Sequence, residues 1–140
     1  MDSGQAPFRV ALLLIPGFAL MSYAAAVEPL RAANTLSGRR LFDWVHVAPQ
    51  GASAACSTGL TVPCETDATA EPPPADLILV CAGGDPLAFR DGRVDGWLRR
   101  AARGRATLGG VSGGPAILAQ AGVMAGRRMT VHWEHAEPLA

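Results

Sequence analysis

Apolar residues in this chain cluster into short continuous runs separated by turn-forming residues. Phe8 to Ile15 (FRVALLLI) and Ala75 to Ala82 (ADLILVCA) are nearly unbroken hydrophobic stretches, the pattern of strands covered on both faces of a parallel sheet. Leu41 to Ala48 (LFDWVHVA) alternates well enough for another strand. Between the first two strands, Leu20 to about Leu36 has Ala24, Val27, Leu30, Ala33 and Asn34 at helical spacing, with Pro29 inside the pattern and Ser37-Gly38 as a stop. Arg93 to Arg103 is a second amphipathic helix, with Val94, Trp97, Leu98 and Ala101 inward and arginines outward. Short pieces between Pro49 and Pro63 predict a small hairpin, and Glu71-Pro72-Pro73-Pro74 a stiff loop. Strands alternating with helices in this way predict an α/β sheet.

The chain is organised around Ala106 to Gly122. This stretch reads as a short buried central strand, a glycine-walled turn with Ser112 at its apex, and a small-residue helix closed by Gly122. Gly126-Arg127-Arg128 then forms a turn, Met129-Thr130-Val131 a short strand, and Glu134 to Ala140 the start of a helix, so the chain reads as a fragment of a larger domain. Residues 1–7 read as a disordered leader and residues 8–140 as one incomplete domain.

A strand, a sharp turn with a small polar residue, and a helix make the shape of a nucleophile elbow, and Gly110-Val111-Ser112-Gly113-Gly114 fits the hydrolase pattern G-x-S-x-G. A serine nucleophile needs an adjacent base, because its hydroxyl is barely acidic. Downstream only His132 and His135 remain, and no Asp follows Ser112. Glu28, among small apolar helix residues, has two readings: a carboxyl facing a pocket with its pKa raised by desolvation, or a surface carboxylate paired with Arg31. Gly83-Gly84 at a neighbouring strand end suits either an anion-binding nest or a plain tight turn. His132 and His135 lack an evident third ligand, so neither a metal nor a cofactor is expected, and His46 reads as packing or surface.

Composition narrows the class. The chain has 140 residues, 49% hydrophobic and 17% charged, enough for one core. Twelve arginines balance twelve acids and there is no lysine, an absence that reads as base-composition bias. A neutral chain without a basic run argues against nucleic-acid binding by this piece alone. Cys56, Cys64 and Cys81 lack metal-type spacing and read as reduced thiols of a cytoplasmic protein, Cys81 as core. No stretch approaches the ~20 apolar residues needed to span a bilayer, so no membrane association is expected.

Taken together, Ile15-Pro16-Gly17-Phe18, Ala26-Val27-Glu28-Pro29-Leu30-Arg31-Ala32-Ala33-Asn34, Ala82-Gly83-Gly84, the elbow, Ala121-Gly122-Val123-Met124-Ala125-Gly126-Arg127-Arg128 and Thr130-Val131-His132-Trp133-Glu134 resemble the amino-terminal domain of AraC-type transcriptional regulators. That domain belongs to the ThiJ/PfpI branch of the class I glutamine amidotransferase-like superfamily. The resemblance runs from about Phe8 to the last residue, and is strongest to regulators that sense quaternary amines or amino acids such as glycine betaine, carnitine or arginine. It implies a flavodoxin-like three-layer sandwich with a mostly parallel sheet, truncated at its carboxy-terminal end, and homodimerisation.

In the superfamily's enzymes the elbow carries a Cys, often followed by His, and a glutamate on the first helix touches the thiol. Ser112 stands at the Cys position, Gly113 at the His position, and Glu28 matches the glutamate. Serine does not ionise as a thiol does, so the departure points to a sensor that keeps the pocket without the reaction. The expectation is therefore a non-catalytic effector-binding domain. A small metabolite would sit near Glu28, Gly83, Gly84, Ser112, Gly113 and His132, with Phe18 and Trp133 as further lining. DNA contact would come from a carboxy-terminal helix-turn-helix pair not present in these residues. The competing readings are a hydrolase or lyase of the same superfamily using Ser112 and Glu28, and a structural dimerisation module.

Overall fold

A computed structural model describes residues 4–140. Of the expected leader, residues 1–3 lie outside the described residues, and residues 4–7 carry no regular structure before β1 begins at Phe8. Seven strands and three helices follow: β1 (Phe8–Leu14), α1 (Leu20–Ser37), β2 (Phe42–Ala48), β3 (Ser53–Ala55), β4 (Thr61–Pro63), β5 (Thr66–Asp67), β6 (Leu77–Ala82), α2 (Gly92–Ala102), β7 (Thr107–Ser112) and α3 (Gly114–Gln120). Single 3₁₀ turns lie at Pro86–Ala88 and Trp133–His135.

Five strands form one sheet in the order β5-β2-β1-β6-β7, and every pair in it is parallel. Alternate side chains of each strand enter opposite layers. Ala11, Leu13, Val47, Ile78 and Val80 pack against Val94, Trp97 and Leu98 of α2 and Ile117 and Leu118 of α3. Val10, Leu12, Leu14 and Cys81 pack on the other face against Val27, with Tyr23 and Leu30 of α1 at its margin. Helices thus cover both faces, as the continuous apolar runs of β1 and β6 require. The architecture is the expected flavodoxin-like three-layer arrangement, with the change of winding direction between β1 and β6.

α1 runs through Pro29 and stops at Gly38, which adopts the left-handed conformation (φ 64°). Its first residue has no side-chain cap of its own. Instead Ser57, at the tip of the β3–β4 hairpin, accepts a hydrogen bond from the Leu20 N–H at 3.4 Å, and Gly17 N–H donates to Ala55 O. Asn34 is not a core filler, although it falls at core spacing. Its Oδ1 accepts from the Leu41 and Phe42 N–H groups at 2.8 and 3.0 Å, and its Nδ2 donates to Phe42 O, pinning the helix to the start of β2.

Three expectations are corrected. β7 is not central: among the described residues it pairs only with β6 and is half-buried. Met129–Val131 forms no strand, because no sheet edge of the described chain pairs with it. Glu134–Ala140 does not begin a regular helix but continues in turns after the 3₁₀ turn.

Candidate functional site

In an open parallel α/β sheet, the carboxyl ends of the strands at the switch point form the natural binding crevice. Here those ends belong to β1, β6 and β7. Register places Leu14 beside Cys81, and Ala82 beside Ser112. The loops leaving these strands come very close together. A Cβ on Gly83 would lie 3.0 Å from both Gly17 O and Ala19 N, so only glycine fits between the β1 and β6 loops. Gly84 follows in the left-handed region (φ 59°). The N–H groups of Gly83 and Gly84 find no acceptor among the described residues and remain available at the crevice.

The elbow has the expected shape with a different division of labour. Ser112 itself, not a neighbouring glycine, takes the strained conformation, with φ 54°, while Gly113 is in the ordinary right-handed region. Left-handed backbone costs a non-glycine residue about 1–2 kcal/mol. The glycines after the apex serve close approach instead: Gly113 N–H bonds Ala82 O at 2.9 Å, and Gly114 lies directly against Val80. The result is an exposed Ser112 hydroxyl held at the sheet edge.

No hydrogen bond joins that hydroxyl to a base among the described residues. Glu28, His46 and His132 are each engaged elsewhere. Glu28 is exposed on α1 and accepts hydrogen bonds from Arg31 (Nε at 2.8 Å, Nη2 at 2.6 Å). The Arg31 hydrogen bond holds the Glu28 carboxyl below its ordinary value, which is the surface-paired one of the two readings left open by the sequence. His46, on β2, accepts from or donates to the Tyr23 hydroxyl at 2.8 Å through Nε2 and meets Glu65 through Nδ1. His132 Nδ1 lies 3.5 Å from Glu134, and its ring stacks on Trp133.

Two further residues shift in meaning. Phe18 is completely buried, edge-on to Tyr23, and serves the core; a ligand at the strand ends would not reach it. Trp133 is 78% exposed and presents a free aromatic face. Glu134 joins His132 and His135 as a third residue of metal-ligating type: donor atoms of the three lie within 4.8 Å of one another on one turn near the carboxyl end. The Tyr23–His46–Glu65 chain was also not legible, since its members are far apart in sequence and meet only across the α1–β2 packing.

Comparison with known proteins agrees with this architecture. The DJ-1/PfpI family model matches residues 8–140. The HTH-type transcriptional regulator GlxA of Rhizobium meliloti is 46% identical over 132 residues, covering 94% of this chain and 40% of the regulator. CdhR of Pseudomonas aeruginosa, another HTH-type transcriptional regulator, is 41% identical over 123 residues, covering 87% of this chain and 36% of the regulator. The chain therefore spans about two fifths of the length of these curated relatives. The crystal structure of an AraC family transcriptional regulator from Pseudomonas putida superimposes with a TM-score of 0.81 at 28% identity, over 95% of this chain and 71% of that one. From strand order to the glycine-lined strand ends and the elbow at Ser112, the chain belongs to the DJ-1/PfpI family.

Proposed function

We propose that this chain is a non-catalytic effector-sensing domain of an AraC-type transcriptional regulator, with the elbow as the floor of its ligand site. One observation carries this reading: Ser112 stands in a strained elbow without a base to activate it, while Glu28, His46 and His132 are each bonded elsewhere. A general base must reach the proton it removes, and among the described residues no hydrogen bond joins the Ser112 hydroxyl to a base. The names of the regulators that match most of the chain support the same reading.

Gly83, Gly84, Ser112 and Gly113 supply N–H and hydroxyl groups suited to a carboxylate or another polar group of a small metabolite. A quaternary amine or amino acid also brings a cationic end. Glu28 suits that end, with the ligand cation replacing Arg31 as its partner, and an exposed ring such as Trp133 adds cation–π attraction of ~1–2 kcal/mol once desolvated. His132 completes the lining. Binding would bias a homodimer between two states, and sequence-specific DNA contact would lie in a helix-turn-helix segment of the longer cytoplasmic regulator.

A thermal-shift screen with glycine betaine, carnitine, choline and amino acids tests the proposal. At least one compound stabilises the protein, and the shift is lost in Ser112→Trp, which fills the floor. Absence of any shift, together with hydrolysis of a reporter ester that vanishes in Ser112→Ala, would establish the hydrolase reading instead.

A further inference from the structure

The chain is neutral overall, yet its charge is sharply segregated. Residues 90–128 carry eight arginines against Asp91 and Asp95 alone, a surplus of six positive charges, whereas residues 1–89 carry four arginines against eight acids. Five of these arginines lie on the outer face and end of α2 and in the segments that follow α2 and α3. α2 buries Val94, Trp97, Leu98 and Ala101 and leaves Arg93 and Arg99 outward, with Arg103 at its end. The following loop exposes Arg105. Arg127 and Arg128, which follow α3, return to the same place: they line a groove of ≈ 550 Å³ with Ala102, Ala106 and Thr107.

Little of this charge is compensated. Asp91 meets Arg93, and Glu71 meets Arg100. Arg99 and Arg103 donate to the backbone carbonyls of Ala121 and Arg99, which orients the guanidinium groups without neutralising them. Among the described residues no carboxylate lies within ion-pair distance of Arg99, Arg103, Arg105, Arg127 or Arg128. Local field, not net charge, determines what a surface attracts.

We propose that Arg99, Arg103, Arg105, Arg127 and Arg128 form a docking surface for the phosphate backbone of duplex DNA, independent of base sequence. Guanidinium forks match phosphate oxygens, and each phosphate neutralised releases condensed counterions. The surface lies at the Thr107 end of β7, whereas Ser112 lies at the other end, about 16 Å away at ordinary strand rise. DNA and a ligand at the elbow therefore do not compete. The inference stands on charge and geometry and does not depend on the effector reading.

Fluorescence anisotropy of a labelled random-sequence duplex, titrated with the 140-residue chain between 50 and 200 mM NaCl, tests it. Binding is expected to weaken with salt at a log–log slope of about −4, near −0.9 per phosphate contacted. The triple variant Arg103→Gln/Arg127→Gln/Arg128→Gln should bind at least roughly tenfold more weakly at 50 mM salt, with the slope reduced by about 3. Arg40→Gln, on the other side of the sheet order, should bind as wild type. All three replaced side chains are exposed, and an unchanged circular dichroism spectrum verifies that the variant is folded. Equal binding by the triple variant, salt-independent binding, no binding at all, or tighter binding to poly-glutamate or anionic vesicles than to DNA would each overturn the proposal.

Discussion

Gly114 sits against the backbone of Val80 so closely that a Cβ on it would overlap the Val80 carbonyl oxygen. This contact sets the angle at which α3 leaves the elbow, and so the position of Ser112 above the strand ends. Gly114→Ala must push α3 away from β6, and should destabilise the fold by about 3 kcal/mol, the upper end of ordinary overpacking. Ser112→Gly should do the reverse, gaining about 1 kcal/mol by removing left-handed strain. Urea unfolding midpoints of the two variants measure both effects.

Asn34 should behave as a structural clamp. Asn34→Ala leaves the Leu41 and Phe42 N–H groups without their acceptor, a loss of about 2 kcal/mol. Asn34→Asp keeps the acceptor but sets a carboxylate oxygen against Phe42 O in place of the donor, so its denaturation midpoint should also fall below wild type.

The three thiols should react in a fixed order. A hydrogen bond with the Thr58 hydroxyl, at 3.2 Å, lowers the Cys56 pKa, whereas burial pushes Cys64 up to about 11 and Cys81 up to about 12. Alkylation at pH 8, followed by mass spectrometry, should modify Cys56 first and Cys81 last, because only the thiolate attacks. Thr58→Ala should slow the Cys56 step. Modification of Cys81 at the rate of Cys56 would contradict this assignment.

Asp67 should contribute to acid sensitivity. Hydrogen bonds from the Thr69 hydroxyl and from the Gly51 and Thr69 N–H groups hold its carboxyl below its ordinary value of 3.8. A carboxyl depressed in the folded state stabilises the fold above its unfolded pKa and loses that contribution as pH falls through the folded value. The gap in urea midpoint between wild type and Asp67→Asn should therefore be full at pH 7 and close below pH 3.8.

The main elements were readable because burial on both faces leaves an unmistakable signature. Beyond Arg9 near its exposed start, β1 has no polar residue, β6 has none, and Gly38 stops α1 where the pattern ends. Position within the sheet was less legible. β7 has the small, apolar residues of a central strand because α3 crowds Gly110 and the Leu79 side chain of β6 crowds Gly109, and such crowding resembles burial in a sequence. β5 is two residues long and has no periodicity to read. Contacts across long separations were invisible: Ser57 capping α1, Asn34 gripping β2, and Glu65 meeting His46 each depend on tertiary packing. At the site, the elbow and the glycines were legible from residue type, since only glycine tolerates such close approach. The engagement of Glu28 with Arg31 was one of two readings that helical spacing left open, and the geometry chose between them.

The central claim is that the strand ends around Ser112 bind a small metabolite without transforming it. Amide chemical-shift mapping of the ¹⁵N-labelled chain, titrated with glycine betaine, carnitine, choline and amino acids, tests this most directly. The account predicts saturable shifts concentrated at Gly83, Gly84, Ser112 and Gly113, with the ligand recovered unchanged. Shifts confined to other surfaces, or conversion of the ligand at a rate abolished by Ser112→Ala, would contradict it.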